Sequence, residues 1–232
     1  MGWPGDVRAG GAGGTGTAVI QSTGALAQAG TVDLGAATRT FTINDGAPAV
    51  DVSILAAIIG TGGLTKAGAG TLQLSGADTY TGGTIVTDGM LTLSGAAAKL
   101  GTGNVVLQAS VAGSAIQIQT GVSNAIANTA NLSLSDGSSP ASGLSAGFAA
   151  ALAPNRTYVD VGAGINETVN MLLLNGVAQG PGTYGSSTSS ATFKNDNFFA
   201  GSGVITVLIP EPTTASLLLL GLASLAARRR RR

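Results

Sequence analysis

Residues 62–95 read GGLTKAGAGTLQLSGADTYTGGTIVTDGMLTLSG and contain a visible internal copy. Leu72-Gln73-Leu74-Ser75-Gly76 returns nineteen residues later as Leu91-Thr92-Leu93-Ser94-Gly95. Apolar and polar residues alternating over so short a run predict strands with one buried face. Outward from this copy the alternation continues. Val32/Leu34, Val52/Ile54, Leu72/Leu74 and Leu91/Leu93 have second members 20, 20 and 19 residues apart. A second series, Ile43, Leu64, Ile85 and Val106, steps by 21, and a looser third runs Ile59, Tyr80, Leu100. Short strands at so regular an interval predict a parallel solenoid. One coil of this size cannot bury its own apolar positions, so coils stack and each inward residue covers its equivalent one coil below. Gly-Gly at 62–63 and 82–83, Asp88-Gly89 and Ser94-Gly95 fall where a coil must turn, and glycine accepts a positive φ there without strain. Thr and Ser between the apolar positions suit an exposed strand face. An antiparallel sandwich also spaces its strands at about 8–12 residues, but the near-constant step of three interleaved series favours stacked coils.

The expected fold is therefore all-β: a right-handed parallel β-helix or solenoid over residues 31–140, clearest at 60–95, behind a Gly-rich segment 1–30. Residues 141–155 (ASGLSAGFAAALAPN) interrupt the pattern and predict a short helix or a loop. After them come TYVDVGAG, ETVNMLLL and GVITVLI, with Asn175-Gly176 between apolar runs. Asn-Gly is the strongest short hairpin signal, because a type I′ turn needs a positive φ twice. The region 141–209 is thus expected to cap the open end of the solenoid with antiparallel strands and protect its edge.

Composition removes many function classes. The 232 residues include 37 Gly, no Cys and no His, and only 9% are charged. Without His or Cys there is no His-dependent triad, thiol nucleophile, disulfide framework or zinc-finger site. A hydrophobic content of 44% argues against a solvated coil. Five of the eleven basic residues are Arg228–Arg232, so residues 1–209 carry six basic and ten acidic groups, a net charge of −4. An acidic body with scattered charges offers no face for a phosphate backbone, and nucleic acid is not an expected partner. Export needs a basic n-region and an apolar h-region; residues 1–30 show neither, so the true start is expected upstream.

The chemical motifs are weak. Gly143-Leu144-Ser145-Ala146-Gly147 matches G-x-S-x-G, but the hydroxyl has no histidine base and a small-residue turn explains it. G-x-G-x-x-G at Gly11/Gly13/Gly16 and at Gly180/Gly182/Gly185 does not open a helix after a buried strand. Asp78, Asp88, Asp160 and Glu167 lie nearest to expected turns or strands, where Asx-turns are the ordinary explanation for Asp78 and Asp88. Glycosidase chemistry needs two carboxylates about 5–10 Å apart, which spacing along the chain does not show. Tyr80, Tyr158, Tyr184, Trp3 and Phe198-Phe199 are candidates for stacking on sugars, although Tyr80 is expected to cover a solenoid face. No catalytic, cofactor-binding or metal-ligating residue is assigned, and the expectation is a non-enzyme. The alternative is a β-helical carbohydrate-active enzyme, a polysaccharide lyase or hydrolase, with the same C-terminal address.

That address lies in the last residues. Thr213–Ala227 (TTASLLLLGLASLAA) is uncharged throughout and ends at Arg228–Arg232. As a helix it would span about 22 Å, short of the roughly 30 Å hydrocarbon core, and the arginines would snorkel to make up the difference. A basic run beyond an apolar stretch stays on the cytoplasmic side, which places the body outside. Immediately before it, Pro210-Glu211-Pro212 enforces an extended break. The order Pro-Glu-Pro, short apolar run, Arg cluster resembles the PEP-CTERM sorting domain of Gram-negative bacteria, here 210–232 with a transmembrane helix at 213–227. The resemblance implies exosortase as a processing partner. It makes Pro210, Glu211 and Pro212 the sorting motif and Arg228, Arg229, Arg230, Arg231 and Arg232 the membrane retention cluster.

Residues 60–95 resemble the autotransporter-associated β-strand repeat of bacterial surface and secreted passenger domains. Gly68, Gly70, Leu72, Leu74, Ser75, Gly76, Tyr80, Gly82 and Thr84 match its pattern, and residues 172–207 look like the C-terminal segment of such repeat proteins. The resemblance does not imply self-secretion. Together the two resemblances imply a cell-envelope, outer-surface or extracellular-matrix protein in surface structure, adhesion or biofilm, with exopolysaccharide as a candidate partner.

Overall fold

The computed structural model describes residues 7–9, 16–21, 30–108, 113–136 and 157–208. Trp3, Gly11, Gly13, the 141–155 segment with its G-x-S-x-G match, and the tail from Pro210 to Arg232, with the transmembrane helix expected at 213–227, lie outside these residues. Among the described residues every regular element is a β-strand.

Two sheets dominate, and the chain visits them alternately. The first contains β1 (Val7–Ala9), β4 (Arg39–Ile43), β7 (Leu64–Ala67), β9 (Thr84–Val86), β11 (Val105–Leu107), β13 (Asn131–Leu134), β16 (Met171–Leu174) and β17 (Val177–Ala178), in that spatial order. The second contains β2 (Ala18–Ile20), β5 (Val52–Ile54), β8 (Thr71–Leu74), β10 (Gly89–Leu93), β12 (Ser114–Ile118), β14 (Thr157–Val161) and β20 (Phe199–Gly201). All pairings within the two are parallel except β16–β17. Each circuit adds one strand to each sheet, an arrangement compatible with a β-solenoid. The buried aliphatic residues form one core cluster between the sheets.

Register explains which residues are buried. In the second sheet Val52, Leu72, Leu91, Ile116, Val159 and Phe199 are successive partners, and so are Ile54, Leu74, Leu93, Ile118 and Val161. All are buried. The expected column Ile54–Leu74–Leu93 is therefore continuous, but Val32 and Leu34 do not precede it. β3 (Thr31–Asp33) instead pairs with β6 (Ala57–Ile59) in a small sheet of its own, and Ala18 and Ile20 stand below Val52 and Ile54. The coil from 18 to 52 is longer than the three that follow it, so a fixed step of twenty picks the wrong strand there. Leu34 is nonetheless buried in the same core.

The second series needs a different correction. Ile85 and Val106 are partners, but Ile85 pairs with Thr65 rather than Leu64, and all three lie on the half-exposed outer face. A slip of one residue reverses the face of a strand. The inward columns of the first sheet are Leu64–Thr84–Val105–Leu132–Leu172 and Phe41–Lys66–Val86–Leu107–Leu134–Leu174.

The antiparallel cap is only partly antiparallel. β14, β16 and β20 continue the parallel sheets, because each takes its ladder bonds from the coil below. Among the described residues antiparallel pairing is confined to β16–β17 and to β18 (Gly182–Gly185) with β21 (Val204–Val207). β21 also pairs in parallel with β15 (Asn166–Val169), and β18 with β19 (Phe193–Lys194). The hairpin at Asn175-Gly176 forms as expected, with φ of 49° and 77° and Leu174 opposite Val177.

Glycine does two jobs at the corners. Gly89 and Gly95 adopt φ of 67° and 94°, as expected of turn residues. Gly62, Gly63, Gly82 and Gly83 do not; they permit backbone contact between coils. A Cβ on Gly82 would fall 2.4 Å from the nitrogen of Gly63, and one on Gly62 would fall 2.1 Å from the carbonyl oxygen of Ala37.

Candidate functional site

The repeat-motif residues build an interior. Leu72 and Leu74 fill the core columns, while Gly68, Gly70 and Gly76 sit where a Cβ would strike the backbone at Ile43, Asn44 and Ala56. The Ser75 N–H donates to Ile54 O of the preceding coil. Tyr80, expected on a solenoid face, is fully enclosed instead. Its hydroxyl lies 2.6 Å from Thr84 Oγ1, and burial pushes the phenol above its usual range, with the Thr84 bond working against the shift. Room for the ring comes from Gly101, where a Cβ would fall 2.5 Å from Tyr80 Cδ2. Motif positions 80, 82 and 84 thus form one packing unit: a ring, a gap for the neighbouring backbone and a hydroxyl partner.

The carboxylates singled out by sequence each satisfy a different part of the chain. Asp78 is 2% exposed; Oδ1 accepts the Ile58 N–H at 2.8 Å, twenty residues away, and Oδ2 has no partner. Burial pushes this carboxyl up to about 7, opposed by the Ile58 hydrogen bond and by Lys99. Asp88 Oδ1 accepts the N–H of the next residue, Gly89, whereas an Asx-turn uses the N–H two residues on. Asp160 Oδ2 accepts from Gln117 Nε2 at 3.0 Å. Glu167 is fully buried and receives the N–H groups of Ala125 and Ile126 at 3.0 and 2.8 Å, and its carboxyl is raised by burial against those two bonds. Asp78 and Glu167 tie neighbouring segments through backbone N–H groups, which offsets part of the cost of burying them, while Asp88 and Asp160 are half-buried.

Two further buried groups were not singled out from sequence. Asp51 links two segments, Oδ1 accepting from Gly46 N and Oδ2 from Thr71 N, both at 2.8 Å. Lys66 stands in an apolar column and is fully buried. Its ammonium donates to the carbonyls of Ala67, Gly68 and Asp88 at 3.2, 2.6 and 3.0 Å. Burial lowers it to about 8, against the pull of Asp88 and Asp51. The alternation Leu64-Thr65-Lys66 was the available signal, since residue 66 must share the face of Leu64. Among the described residues no group of three or more acidic side chains is placed to hold a metal ion. Of the aromatic candidates, Phe198 and Phe199 are buried, and Tyr184 stacks on Phe193 with centroids 5.0 Å apart.

Comparison with known proteins matches both ends of this description. Residues 64–93, from β7 to β10, match the passenger-associated-transport-repeat. Residues 208–232 match the PEP-CTERM protein-sorting motif. The chain therefore carries a passenger-type repeat in its stacked body and a PEP-CTERM sorting motif at its C-terminus. A 98-residue stretch, 42% of this chain, is 41% identical to the adhesin BmaC autotransporter of Brucella suis biovar 1 (strain 1330), of which it covers 3%. No solved structure matches the chain. Among the described residues no helix is long and apolar enough to cross a membrane.

Proposed function

We propose that this is a non-enzymatic protein of the bacterial surface or extracellular matrix, delivered by its C-terminal motif and acting through its stacked body in surface structure, adhesion or biofilm. The observation that carries it is the joining of a PEP-CTERM motif at 208–232 to a body containing a passenger-type repeat. The 41% identity to a segment of an adhesin supports the adhesive part. The buried carboxylates of Asp51, Asp78 and Glu167, each bound to backbone N–H groups, support a structural role. In this proposal the body is a right-handed solenoid, the hand that parallel crossovers strongly favour. Thr213–Ala227 crosses the inner membrane with Arg228–Arg232 in the cytoplasm, and an exosortase recognises Pro210-Glu211-Pro212 and cleaves the tail. Exopolysaccharide is the proposed extracellular partner.

The test is the C-terminus itself. Mass spectrometry of the protein from cells with and without exosortase should find the tail removed only in the former, and Glu211→Ala should leave it uncut. Surface protease should digest the body in intact cells. An identical, full-length C-terminus in both strains, or a protease-resistant body, would refute sorting.

A further inference from the structure

We propose that the outer face of the second sheet, centred on Gln117 and Asp160, binds an extended, uncharged polysaccharide chain. Register sets Ser53, Gln73, Thr92, Gln117 and Asp160 in one row across β5, β8, β10, β12 and β14. Ser53 and Thr92 are buried, whereas Gln73, Gln117 and Asp160 are half-buried; with adjacent strands about 4.8 Å apart, the amides of Gln73 and Gln117 stand two strands apart and the Asp160 carboxylate lies one strand further on. Ser53 Oγ donates to Gln73 Oε1 at 3.1 Å, and Gln117 Nε2 donates to Asp160 Oδ2 at 3.0 Å. These bonds hold the two amides in place and use only one half of each. The NH2 of Gln73 and the carbonyl oxygen of Gln117 are left as a donor and an acceptor, the pairing that sugar hydroxyls satisfy.

The row runs into an open groove lined by Gln117, Gln119, Thr120, Asp160 and Gly162. At Gly162 the backbones pack closely, and a Cβ there would fall 2.6 Å from Thr120 N. Tyr158, two residues before Asp160 and so on the same face, is half-buried beside the small Ala115. An aromatic ring beside convergent polar groups suits the apolar face and hydroxyl rim of a pyranose. Charge decides between glycan classes. The row carries a carboxylate and no cation, on a body of net charge −4, so polyanionic chains are repelled. The outer row of the first sheet, Thr40, Thr65, Ile85, Val106, Ser133 and Leu173, has no amide and no carboxylate.

This inference rests on the proposed extracellular location only for its biological setting. Full-length protein in a non-ionic detergent without sugar headgroups would be titrated calorimetrically with cellohexaose (extended), maltohexaose (coiled) and alginate (polyanionic). Cellohexaose should bind best. Gln117→Ala and Gln73→Ala, both at half-exposed positions on different strands, should each weaken it at least tenfold with an unchanged circular dichroism spectrum. Thr65→Ala, on the other sheet, should not. If one glutamine variant fails to fold, the other carries the test. The proposal is overturned if wild-type protein does not bind cellohexaose, if the variants bind it equally well, or if alginate alone binds. Correct surface delivery without cellohexaose binding defeats this proposal alone. A mislocalised chain that still binds it defeats the proposed sorting and leaves this face standing.

Discussion

The two sheets share one core yet fill it differently. Facing inward, the second sheet offers Val52, Leu72, Leu91, Ile116 and Val159 and, beside them, Ile54, Leu74, Leu93, Ile118 and Val161, without a polar atom in either side-chain column. In the first sheet the equivalent columns contain Lys66 between Phe41 and Val86, and Thr84 between Leu64 and Val105. Both intruders are satisfied on the spot. The methylene stem of Lys66 supplies the apolar volume its column needs, while three carbonyls, two of them one and two residues along the chain, take the ammonium. Thr84 shares its hydroxyl with Tyr80. A stack of parallel coils therefore demands inward volume at every level and accepts a polar head only where a corner provides partners.

Cutting the uniform column should do the greater damage. Leu74→Ala removes buried volume between Ile54 and Leu93 and should cost about 2–5 kcal/mol, read from the urea midpoint of the purified protein. Lys66→Met keeps most of the volume but strands the carbonyls of Ala67, Gly68 and Asp88, at a cost of roughly 1–3 kcal/mol. Equal losses would mean that the two sheets do not differ as described. Lys66 also has a signature in pH. Its folded value of about 8 lies below the unfolded 10.5, so the unfolded chain holds more protons between them and stability should rise with pH from about 8 to 10. Lys66→Met should lose that rise.

Asp78 works in the opposite direction. Its folded value of about 7 lies above the unfolded 3.8, so its contribution is full below about pH 4 and is lost as pH rises through 7. Asp78→Asn retains an acceptor for Ile58 and removes the ionisable, unpartnered oxygen. It should stabilise the protein by roughly 1 kcal/mol at pH 8 and by little at pH 4, in thermal melts at the two pH values. A gain of the same size at both would show that ionisation is not the cause.

Much of this was legible because a parallel stack writes its period into the chain. Leu72-Gln73-Leu74 and Leu91-Thr92-Leu93 align in the structure as they do in the sequence. The Asn175-Gly176 turn was legible because few dipeptides tolerate two positive φ values. Three features were hidden by geometry. The coil between Ile20 and Val52 has its own length, which no period reveals. A step of 21 from Leu64 leads to Ile85, whereas the buried partner of Leu64 is Thr84; apolar identity alone pointed one residue too far. The interior role of Lys66 and Asp78 was obscured because charged side chains are buried only where turn carbonyls or an N–H await them, and Asp88 O and Ile58 N, which complete the two sites, lie about a coil away in sequence.

That one-residue slip yields the smallest and most discriminating test of which face is which. If Ile85 were the inward residue of β9, Ile85→Thr would bury a hydroxyl and lose apolar contact, at a cost approaching that of other core truncations. The register instead gives the interior to Thr84 and Val86, with Ile85 in the outer row between Thr65 and Val106. Threonine keeps the β-branch and strand preference of isoleucine, and its new hydroxyl meets water. Ile85→Thr should then change stability by no more than about 0.5 kcal/mol, whereas Val86→Thr, one position along, should cost at least about 1 kcal/mol. Urea titrations of the pair, made side by side, measure a difference whose sign depends only on the register. A larger loss at 85 than at 86 would turn the first sheet inside out.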